Sequence, residues 1–145
     1  MEIRKPNNSE LEEIIALSPQ ALFDGTLGGV RATNEKVLNL IEPLLEKGCY
    51  YLIATENNEL MGWILIGANK DQFTDQLNGF IYELFVKEKF RGRGISKGLM
   101  NVAIEHLRQE GYSEVRLSAY VGNNAIKLYE KLGFSLRTVN MKLQL

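Results

Sequence analysis

The chain has 145 residues, of which 45% are apolar and 24% charged, ordinary proportions for a soluble globular protein. This length fits one domain, residues 1–145, that buries about 68–70% of its unfolded surface. With a net charge of −1, the protein has no overall positive electrostatic field that would attract nucleic acid. No apolar run approaches the ~20 residues of a membrane span. The start, MEIRKPNNSE, lacks the apolar core of a signal peptide. We therefore expect a cytoplasmic protein with no nucleic-acid or membrane partner.

One cysteine and one histidine limit the chemistry further. Cys49 lies in the apolar stretch CYYLIA, which predicts a buried strand residue, and it has no second cysteine with which to pair. A single cysteine and a single histidine exclude the usual structural zinc sets, so we predict no metal site. His106 lies in the apolar helical stretch LMNVAIEHL, which disfavours a Ser-His-Asp triad.

The N-terminal half predicts three strands and two helices. Ser9 and Glu12 form a capping-box pattern, and the first helix should break at Pro19 and the glycines that follow it. Thr33 is placed to cap a second helix, which Pro43 would kink or split. The strands are expected at EIRK, CYYLIAT and ELMGWILIG, with the last two joined as an antiparallel hairpin.

The C-terminal half predicts three more strands and two more helices. Residues 68–78 are polar and should form an exposed loop before the strand GFIYELFV. A turn at residues 89–94 leads into a helix over residues 95–110, and a shorter helix covers residues 125–132. The remaining strands are expected at VRLSAYV and SLRTVNMKL.

The predicted order is β-α-α-β-β-β-α-β-α-β. An antiparallel meander followed by βαβαβ indicates a mixed, mainly antiparallel sheet with helices on both faces. The fold class is therefore a single α/β domain.

Positive charge is concentrated in one part of the chain. Residues 87–97 carry five cations and one acid, a balance of +4, whereas residues 1–50 carry five cations and eight acids, a balance of −3. A compact positive cluster on a mildly acidic protein indicates a small anionic ligand rather than a polymer.

The turn FRGRGIS joins the end of a predicted strand to the start of a helix. Gly92 and Gly94 allow backbone N–H groups to approach a ligand, and the first N–H groups of a helix have no internal partner. Arg91 and Arg93 add forked donors that suit phosphate oxygens. The turn lacks the ending of a Walker A loop, and its spacing to Gly98 does not match G-x-G-x-x-G. These residues alone leave two interpretations, a diphosphate site and a basic turn that merely caps a helix.

The same turn resembles the hallmark of the GNAT superfamily of N-acetyltransferases, Arg/Gln-x-x-Gly-x-Gly/Ala. Residues 91–95 fit this motif in order, and Ser96 stands in place of the final Gly/Ala. A second motif of the family, Ala-x-x-Leu-Tyr-x-x-x-Gly-Phe, is matched about thirty residues downstream by Ala125, Leu128, Tyr129, Gly133 and Phe134. The family's asparagine usually stands three residues before the alanine, whereas Asn123 stands two before it.

The resemblance implies acetyl transfer from acetyl-CoA to a primary amine by direct attack in a ternary complex. The diphosphate would bind the backbone amides of the turn, and the pantetheine arm would lie along the strand before it. The implied cofactor-binding residues are Leu84, Phe85, Val86, Arg91, Gly92, Arg93, Gly94, Ile95, Ser96, Lys97 and Asn123.

The resemblance also suggests the catalytic residues. Tyr129 corresponds to the general acid that protonates the leaving thiolate, with Tyr82 and Tyr120 as weaker candidates. Glu83 is the only acid in the strand GFIYELFV, which makes it the leading candidate for the general base. A backbone N–H near Phe85 or Val86 would stabilise the developing oxyanion.

Two alternatives and the acceptor are left open by the sequence. A non-catalytic acyl-CoA-binding or sensing module on the same fold would carry the same cofactor motifs, and an unrelated nucleotide-phosphate binder is the third possibility. The acceptor, a small molecule or a peptide amine, would be shaped by residues 18–34 and 68–78, where Asp71 and Asp75 are available to attract an amine. Members of the family are often dimers, so a homodimer is compatible with the resemblance.

Overall fold

A computed structural model describes residues 1–145 and shows a five-stranded sheet with helices on both faces. The strands are β1 (Glu2–Arg4), β2 (Tyr50–Glu56), β3 (Glu59–Lys70), β4 (Leu77–Val86) and β5 (Val115–Leu117). The helices are α1 (Asn8–Gly25), α2 (Asn34–Glu46), α3 (Ile95–Gln109) and α4 (Ala125–Lys131), with a 3-10 turn at Glu88–Phe90. The strands lie in chain order, antiparallel except for β4 and β5, so the predicted fold class is confirmed.

The first helix differs from its prediction at both ends. Asn7 rather than Ser9 is the N-cap, and it forms the capping box with Glu10. The helix also continues through Pro19 to Gly25, so the predicted break was placed too early. Packing explains this difference, because Ile14 and Ala21 are buried against the sheet and their burial outweighs the loss of one backbone hydrogen bond at proline.

The predicted cap of the second helix and the predicted hairpin are confirmed. The Thr33 side chain accepts a hydrogen bond from the Lys36 N–H, and the helix runs through Pro43 to Glu46 without splitting there. In the hairpin, a two-residue turn of Asn57 and Asn58 joins β2 and β3, with φ angles of 52° and 62°. Positive φ at both positions is the geometry of a type I′ turn, which asparagine tolerates better than most residues.

The two faces of the sheet bury separate apolar clusters. One cluster packs α1 and α2 against Tyr51, Ile53, Trp63 and other residues of the same face. The other packs α3 against the opposite face, with Leu99, Met100 and the rest of its apolar stripe buried. Cys49 is buried in the α1/α2 cluster, as its surroundings predicted, and lies against Gly67.

Several predicted strand boundaries are wrong. β3 continues to Lys70 and β4 begins at Leu77, which shortens the loop predicted at residues 68–78 to residues 71–76. β5 ends at Leu117, four residues before the predicted end of VRLSAYV. The last predicted strand, SLRTVNMKL, does not form, since residues 134–145 belong to no helix or strand. Its alternation suits a strand, but it pairs with no strand of the sheet.

Candidate active site

β4 and β5 pair over only three residues, which leaves a cleft between them. The pairs are Gly79 with Val115, Phe80 with Arg116 and Ile81 with Leu117. Beyond Ile81, β4 continues to Val86 without a strand beside it on that side. β4 and β5 therefore diverge after Ile81.

Alternation along β4 decides which backbone groups face the cleft. The Lys87 N–H donates to the Met61 carbonyl of β3 at 2.9 Å. Successive residues of a strand direct their backbone groups to opposite sides, so Phe85 also faces β3, while Leu84 and Val86 face the cleft. The Phe85 and Val86 side chains are buried, so only the backbone of these residues is available to a ligand.

A β-bulge interrupts β4 beside the cleft. Leu65 of β3 pairs with Glu83, and the next residue, Ile66, pairs with Ile81, so Tyr82 is an extra residue on β4. A bulge re-aims the side chains around it. Here Tyr82 packs with the α1/α2 cluster. Glu83 is hydrogen-bonded to Trp63, which belongs to the same cluster.

Glu83 is held in an apolar environment by that partner. Trp63, which is fully buried, donates its indole N–H to the Glu83 carboxylate, and its ring packs 4.7 Å from that of Phe85. Burial raises the pKa of Glu83, and the hydrogen bond from Trp63 opposes that shift. The Tyr51 hydroxyl is buried without a hydrogen-bond partner, and burial together with the Glu83 charge raises the pKa of Tyr51.

Tyr129 lies in the short helix α4, and its orientation follows from the way that helix ends. Gly133, at φ +104°, reverses the chain, and the Phe134 N–H donates to the Tyr129 carbonyl at 3.0 Å. The Phe134 ring then meets the Tyr129 ring edge-on, with centroids 6.0 Å apart. The Tyr129 hydroxyl makes no hydrogen bond within the protein, and burial alone raises the pKa of this phenol.

The turn before α3 presents a run of free backbone donors. Gly92 and Gly94 have φ angles of +77° and +78°, and Gly94 caps α3 without a side-chain hydrogen bond. The first N–H to donate within the helix is that of Gly98, which bonds to the Gly94 carbonyl at 3.1 Å. The six N–H groups from Gly92 to Lys97 therefore have no acceptor in the protein. Such a run at a helix N-terminus is an anion-binding arrangement.

The cations around this turn are mostly paired with acids from other parts of the chain. The ion pairs are Lys87 with Glu13 at 2.6 Å, Lys89 with Glu59 at 2.9 Å, Arg91 with Asp24 at 3.0 Å and Arg93 with Glu56 at 3.2 Å. The balance of +4 seen in the sequence is thus largely cancelled in the fold, and Lys97 is the cation of this group without an acid partner. These pairs are mainly exposed, and such pairs contribute little to stability.

Arg91 also contacts the end of β4. Its Nε donates to the Val86 carbonyl at 2.9 Å, and its guanidinium lies 5.5 Å from the centre of the Phe85 ring. The Arg91 side chain therefore connects the anion-binding turn, the cleft strand and, through Asp24, the end of α1.

Comparison with known proteins decides the family of the chain. The acetyltransferase (GNAT) family model matches residues 18–134, which include the cleft, the turn and α4. The chain belongs to the GNAT acetyltransferase family.

Curated relatives of this GNAT protein carry acetyltransferase names. An uncharacterised N-acetyltransferase of Bacillus subtilis is 30% identical over 97 residues, which cover 66% of this chain and 60% of that protein. The chain matches between 26% and 60% of the length of three such relatives.

Solved structures share the fold over nearly the whole chain. A protein of Pyrococcus furiosus assigned as an acetyl transferase is 26% identical, with a TM-score of 0.83 and 99% of both chains covered. A Clostridium acetobutylicum protein, assigned as an acetyltransferase and solved with acetyl-CoA, has a TM-score of 0.77 at 18% identity and covers 99% of this chain and 95% of that one. The similarity to the Clostridium protein shows a shared fold only.

Asn123 and Asp71 have partners inside this GNAT domain. The Asn123 side-chain oxygen accepts the N–H of Ala125, the first residue of α4, at 2.9 Å, which leaves the Asn123 amide nitrogen available to a ligand. The Asp71 carboxylate is buried and accepts hydrogen bonds from two backbone N–H groups of its loop, from Arg116 at 2.6 Å and from Arg137 at 3.2 Å. Arg116 and the two backbone donors hold the pKa of Asp71 well below its usual range. Asp71 is therefore a structural anion rather than an exposed attractor of amines.

The weaker candidates lie in different settings. The Tyr82 hydroxyl donates to the Ala68 carbonyl at 2.7 Å, and burial raises the pKa of Tyr82 to about 12. Tyr120 is exposed, and His106 contacts the Tyr50 hydroxyl at 3.1 Å. Asp75 is exposed and pairs with Lys70 at 3.6 Å.

No group of three or more His, Cys, Asp or Glu side chains is placed to hold a metal ion, and no helix is long and apolar enough to cross a membrane.

The sequence interpretation missed the partners of Glu83. Trp63 and Tyr51 occur in apolar strand runs, where nothing in their spacing distinguishes them from ordinary core residues. The bulge at Tyr82 also has no glycine or proline to mark it.

Proposed function

We propose that the protein transfers an acetyl group from acetyl-CoA to a primary amine by direct attack in a ternary complex. The observation that supports this most is the continuity of two features, a free row of amides at Gly92 to Lys97 and an open backbone edge on β4. Acetyl-CoA has the complementary parts, an anionic diphosphate followed by an extended arm that contains amides. The GNAT family assignment agrees with this use of the site.

The turn would hold the diphosphate chiefly through its backbone. The Ile95 side chain is buried in the core, so this residue offers its N–H alone. Ser96 is half-buried and Lys97 is exposed, and both can add a side-chain contact. Arg91 and Arg93 would exchange an exposed acid partner for a phosphate oxygen, at little cost because exposed pairs are weak. Asn123 would contribute through its free amide nitrogen.

The pantetheine arm would add to β4 as an extra strand. The backbone groups of Leu84 and the Val86 N–H face the cleft and need partners, which an extended amide chain supplies. The Phe85 N–H faces β3, so of the two N–H groups considered for the oxyanion, that of Val86 is the better donor.

Glu83 would act as the general base for the attacking amine. An unperturbed alkylamine has a pKa near ~10.4, so it must lose a proton before it can attack the thioester. Burial raises the pKa of Glu83, which makes its carboxylate a stronger base than an exposed one. The Trp63 N–H would fix the orientation of the carboxylate.

Tyr129 would act as the general acid for the leaving thiolate. Because burial raises the pKa of its phenol, the hydroxyl stays protonated at neutral pH. The hydroxyl has no hydrogen-bond partner in the protein and is free to donate to sulfur. The C–S bond breaks as the amide bond forms, and the sulfur receives the Tyr129 proton.

Isothermal titration with acetyl-CoA tests the binding half of this proposal. We expect saturable one-site binding that is stronger than the binding of ATP. No heat of binding at millimolar acetyl-CoA would overturn the proposal, and a preference for ATP would favour an unrelated nucleotide-phosphate site.

The alternative is a non-catalytic acyl-CoA-binding or sensing module on the same fold. The free Tyr129 hydroxyl and the buried Glu83 carboxylate favour catalysis, because neither group is needed to hold CoA. Proven acetyl-CoA binding without CoA release in any amine would favour the sensing module.

A further inference from the structure

The Tyr51 hydroxyl is buried in the α1/α2 cluster without a hydrogen-bond partner. Only 2% of Tyr51 is exposed, and its hydroxyl bonds to nothing. By contrast, the buried Ser18 hydroxyl of α1 donates to the Ile14 carbonyl at 2.7 Å. An unpaired buried hydroxyl costs stability relative to a phenylalanine, which fills nearly the same space. Packing alone therefore does not explain why residue 51 is a tyrosine.

Tyr51 lies in the same cross-strand row as Glu83. Tyr51 of β2 pairs with Leu65 of β3, and Leu65 pairs with Glu83 of β4. Paired residues of antiparallel strands direct their side chains to one face of the sheet, here the face that α1 and α2 cover. Two strand spacings, about 10 Å, separate the Cα atoms of Tyr51 and Glu83. Burial and, after it, the Glu83 charge raise the pKa of the Tyr51 phenol, so the two side chains interact.

The Glu83 carboxylate has only one donor in the protein. Trp63 donates its indole N–H to one carboxylate oxygen, and no second hydrogen bond is made to Glu83. Burial raises the pKa of Glu83, because apolar surroundings disfavour the ionised form. The Tyr51 hydroxyl is bonded to no other group, so its O–H is free to rotate toward this charge.

No charged side chain on this face shifts the pKa of Glu83. The buried residues of α1 and α2 are uncharged. Cys49 and Tyr82 are the other titratable side chains of the α1/α2 cluster, and they interact with each other. The Arg91 guanidinium contacts the Phe85 ring and is ion-paired with an acid of α1. Tyr51 is therefore the titratable neighbour through which this face can act on the carboxylate.

We propose that Tyr51 is a positioning residue for the general base: its O–H turns toward the Glu83 carboxylate and stabilises the ionised form that accepts the proton of the amine. This proposal rests on the base role proposed above for Glu83. Trp63 would fix the orientation of the carboxylate, and Tyr51 would keep it charged in an otherwise apolar site. The unpaired hydroxyl is then retained for its effect on the base, at a cost in stability.

An NMR titration of the Glu83 carboxyl carbon tests this interaction and requires no enzymatic activity. Tyr51→Phe keeps the ring and removes the hydroxyl. We expect the midpoint of the Glu83 titration to move up by about one pH unit, the size of one hydrogen bond to a charged group. The signal that disappears in Glu83→Gln identifies the residue.

Tyr50→Phe is the matched control for this titration. Tyr50 is the neighbouring residue of β2, but its side chain packs against the α3 side of the sheet. Its hydroxyl lies 3.1 Å from His106 Nδ1, far from the α1/α2 cluster in which Trp63 holds Glu83. The control should leave the Glu83 titration unchanged.

The pH profile of kcat/KM tests the consequence for catalysis. In Tyr51→Phe, the acidic limb should move up by the same pH unit. The variant should be about tenfold slower than the wild type below this limb and close to the wild type above it. Tyr50→Phe should keep the limb of the wild type. A structural defect would instead lower the rate by a similar factor at every pH.

Three results would overturn the role of Tyr51. They are an unchanged Glu83 titration in Tyr51→Phe, an equal change in Tyr50→Phe, and a rate loss in Tyr51→Phe that is the same at every pH. A Glu83 titration that moves while the acidic limb stays in place would overturn the base role of Glu83 and leave its interaction with Tyr51 standing. If no amine gives CoA release, the proposed function fails, and the NMR titration still decides whether Tyr51 stabilises the Glu83 charge.

Discussion

Glu83 and Tyr129 share one physical property with different consequences. Burial raises the pKa of both side chains. For the carboxylate, this brings the pKa closer to neutrality and strengthens the base. For the phenol, it keeps the proton in place, which suits a donor. The two shifts thus have the directions that suit a base and a proton donor.

Replacing Tyr129 by phenylalanine should lower turnover by about 100-fold, a typical loss for one acid–base group. Acetyl-CoA affinity should hardly change, because the hydroxyl bonds to nothing in the protein and the ring that packs against Phe134 is retained. Steady-state kinetics and calorimetry measure the two quantities. A collapse of affinity with unchanged turnover of the bound complex would mean that Tyr129 is structural.

Replacing Glu83 by glutamine should lower kcat/KM by about 100-fold and remove the acidic limb of its pH profile. In the wild type, the rate should rise with pH through the raised pKa of Glu83, above the reference value of ~4.3. A profile recorded for both proteins measures this. An unchanged acidic limb in the variant would assign it to another group.

The same substitution should raise the free energy of unfolding at neutral pH. The folded pKa of Glu83 lies above the unfolded one, so the folded protein binds more protons between the two values and loses stability as pH rises through them. Glutamine carries no charge and can still accept the Trp63 hydrogen bond. The stability gap between variant and wild type should therefore widen with pH and then level off, as urea unfolding at several pH values would show.

Tyr51 and Tyr82 form a matched pair for testing buried hydroxyls. The Tyr51 hydroxyl has no partner, so Tyr51→Phe should stabilise the protein by about 1 kcal/mol or leave it unchanged. Tyr82→Phe should destabilise it by about 1 kcal/mol, because its hydroxyl donates to the Ala68 carbonyl. Urea unfolding measures both, and a clear loss of stability in Tyr51→Phe would reveal a partner for that hydroxyl.

At the scale of elements, the site depends on how strands and helices end. β5 stops after three residues and opens the cleft, and α3 begins at a glycine with no capping side chain. α1 and α2 each have one of their first N–H groups capped by a side chain, that of Asn7 or Thr33. α3 lacks such a cap, so its free donors are available to an anion.

Alanine substitutions of the two glycines at the ends of α3 distinguish an effect on acetyl-CoA binding from an effect on stability. Gly94 and Gly111 have φ angles of +78° and +97°, and a Cβ at either position would meet no other atom. Alanine should therefore cost about 1 kcal/mol of unfolding free energy at both positions. Only Gly94→Ala should weaken acetyl-CoA binding, by about tenfold, because it disturbs donors to the charged diphosphate. Equal affinities of the two variants, measured by calorimetry, would place the diphosphate elsewhere.

Some elements were predictable from sequence and others were not, for identifiable reasons. The Asn57-Asn58 turn and the Thr33 cap are local, and local chemistry predicted both. The helix through Pro19 was not predictable, because its stability comes from burial of Ile14 and Ala21 on a distant part of the sheet. The strand expected at residues 135–143 has the right alternation, but alternation does not show that a neighbouring strand exists.

At the scale of the whole molecule, contacts between distant parts of the chain alter the candidate site. The positive cluster predicted from the sequence is largely neutralised by Glu13, Asp24, Glu56 and Glu59, which come from other elements. The motif residues of the turn and of α4 could be recognised in the sequence because each motif is local. The Trp63 contact to Glu83 joins residues 20 positions apart on neighbouring strands, so only the fold shows it.

Amine-dependent acetyl transfer from acetyl-CoA is tested most directly by a screen of amines with thiol detection. Small amines, aminoglycosides, lysine derivatives and peptides with free N-termini would each be incubated with acetyl-CoA and protein. We expect CoA release that requires a particular class of amine and that falls by about 100-fold in both Glu83→Gln and Tyr129→Phe. Binding of acetyl-CoA without CoA release in any amine, or release that the two variants leave unchanged, would contradict the proposed function.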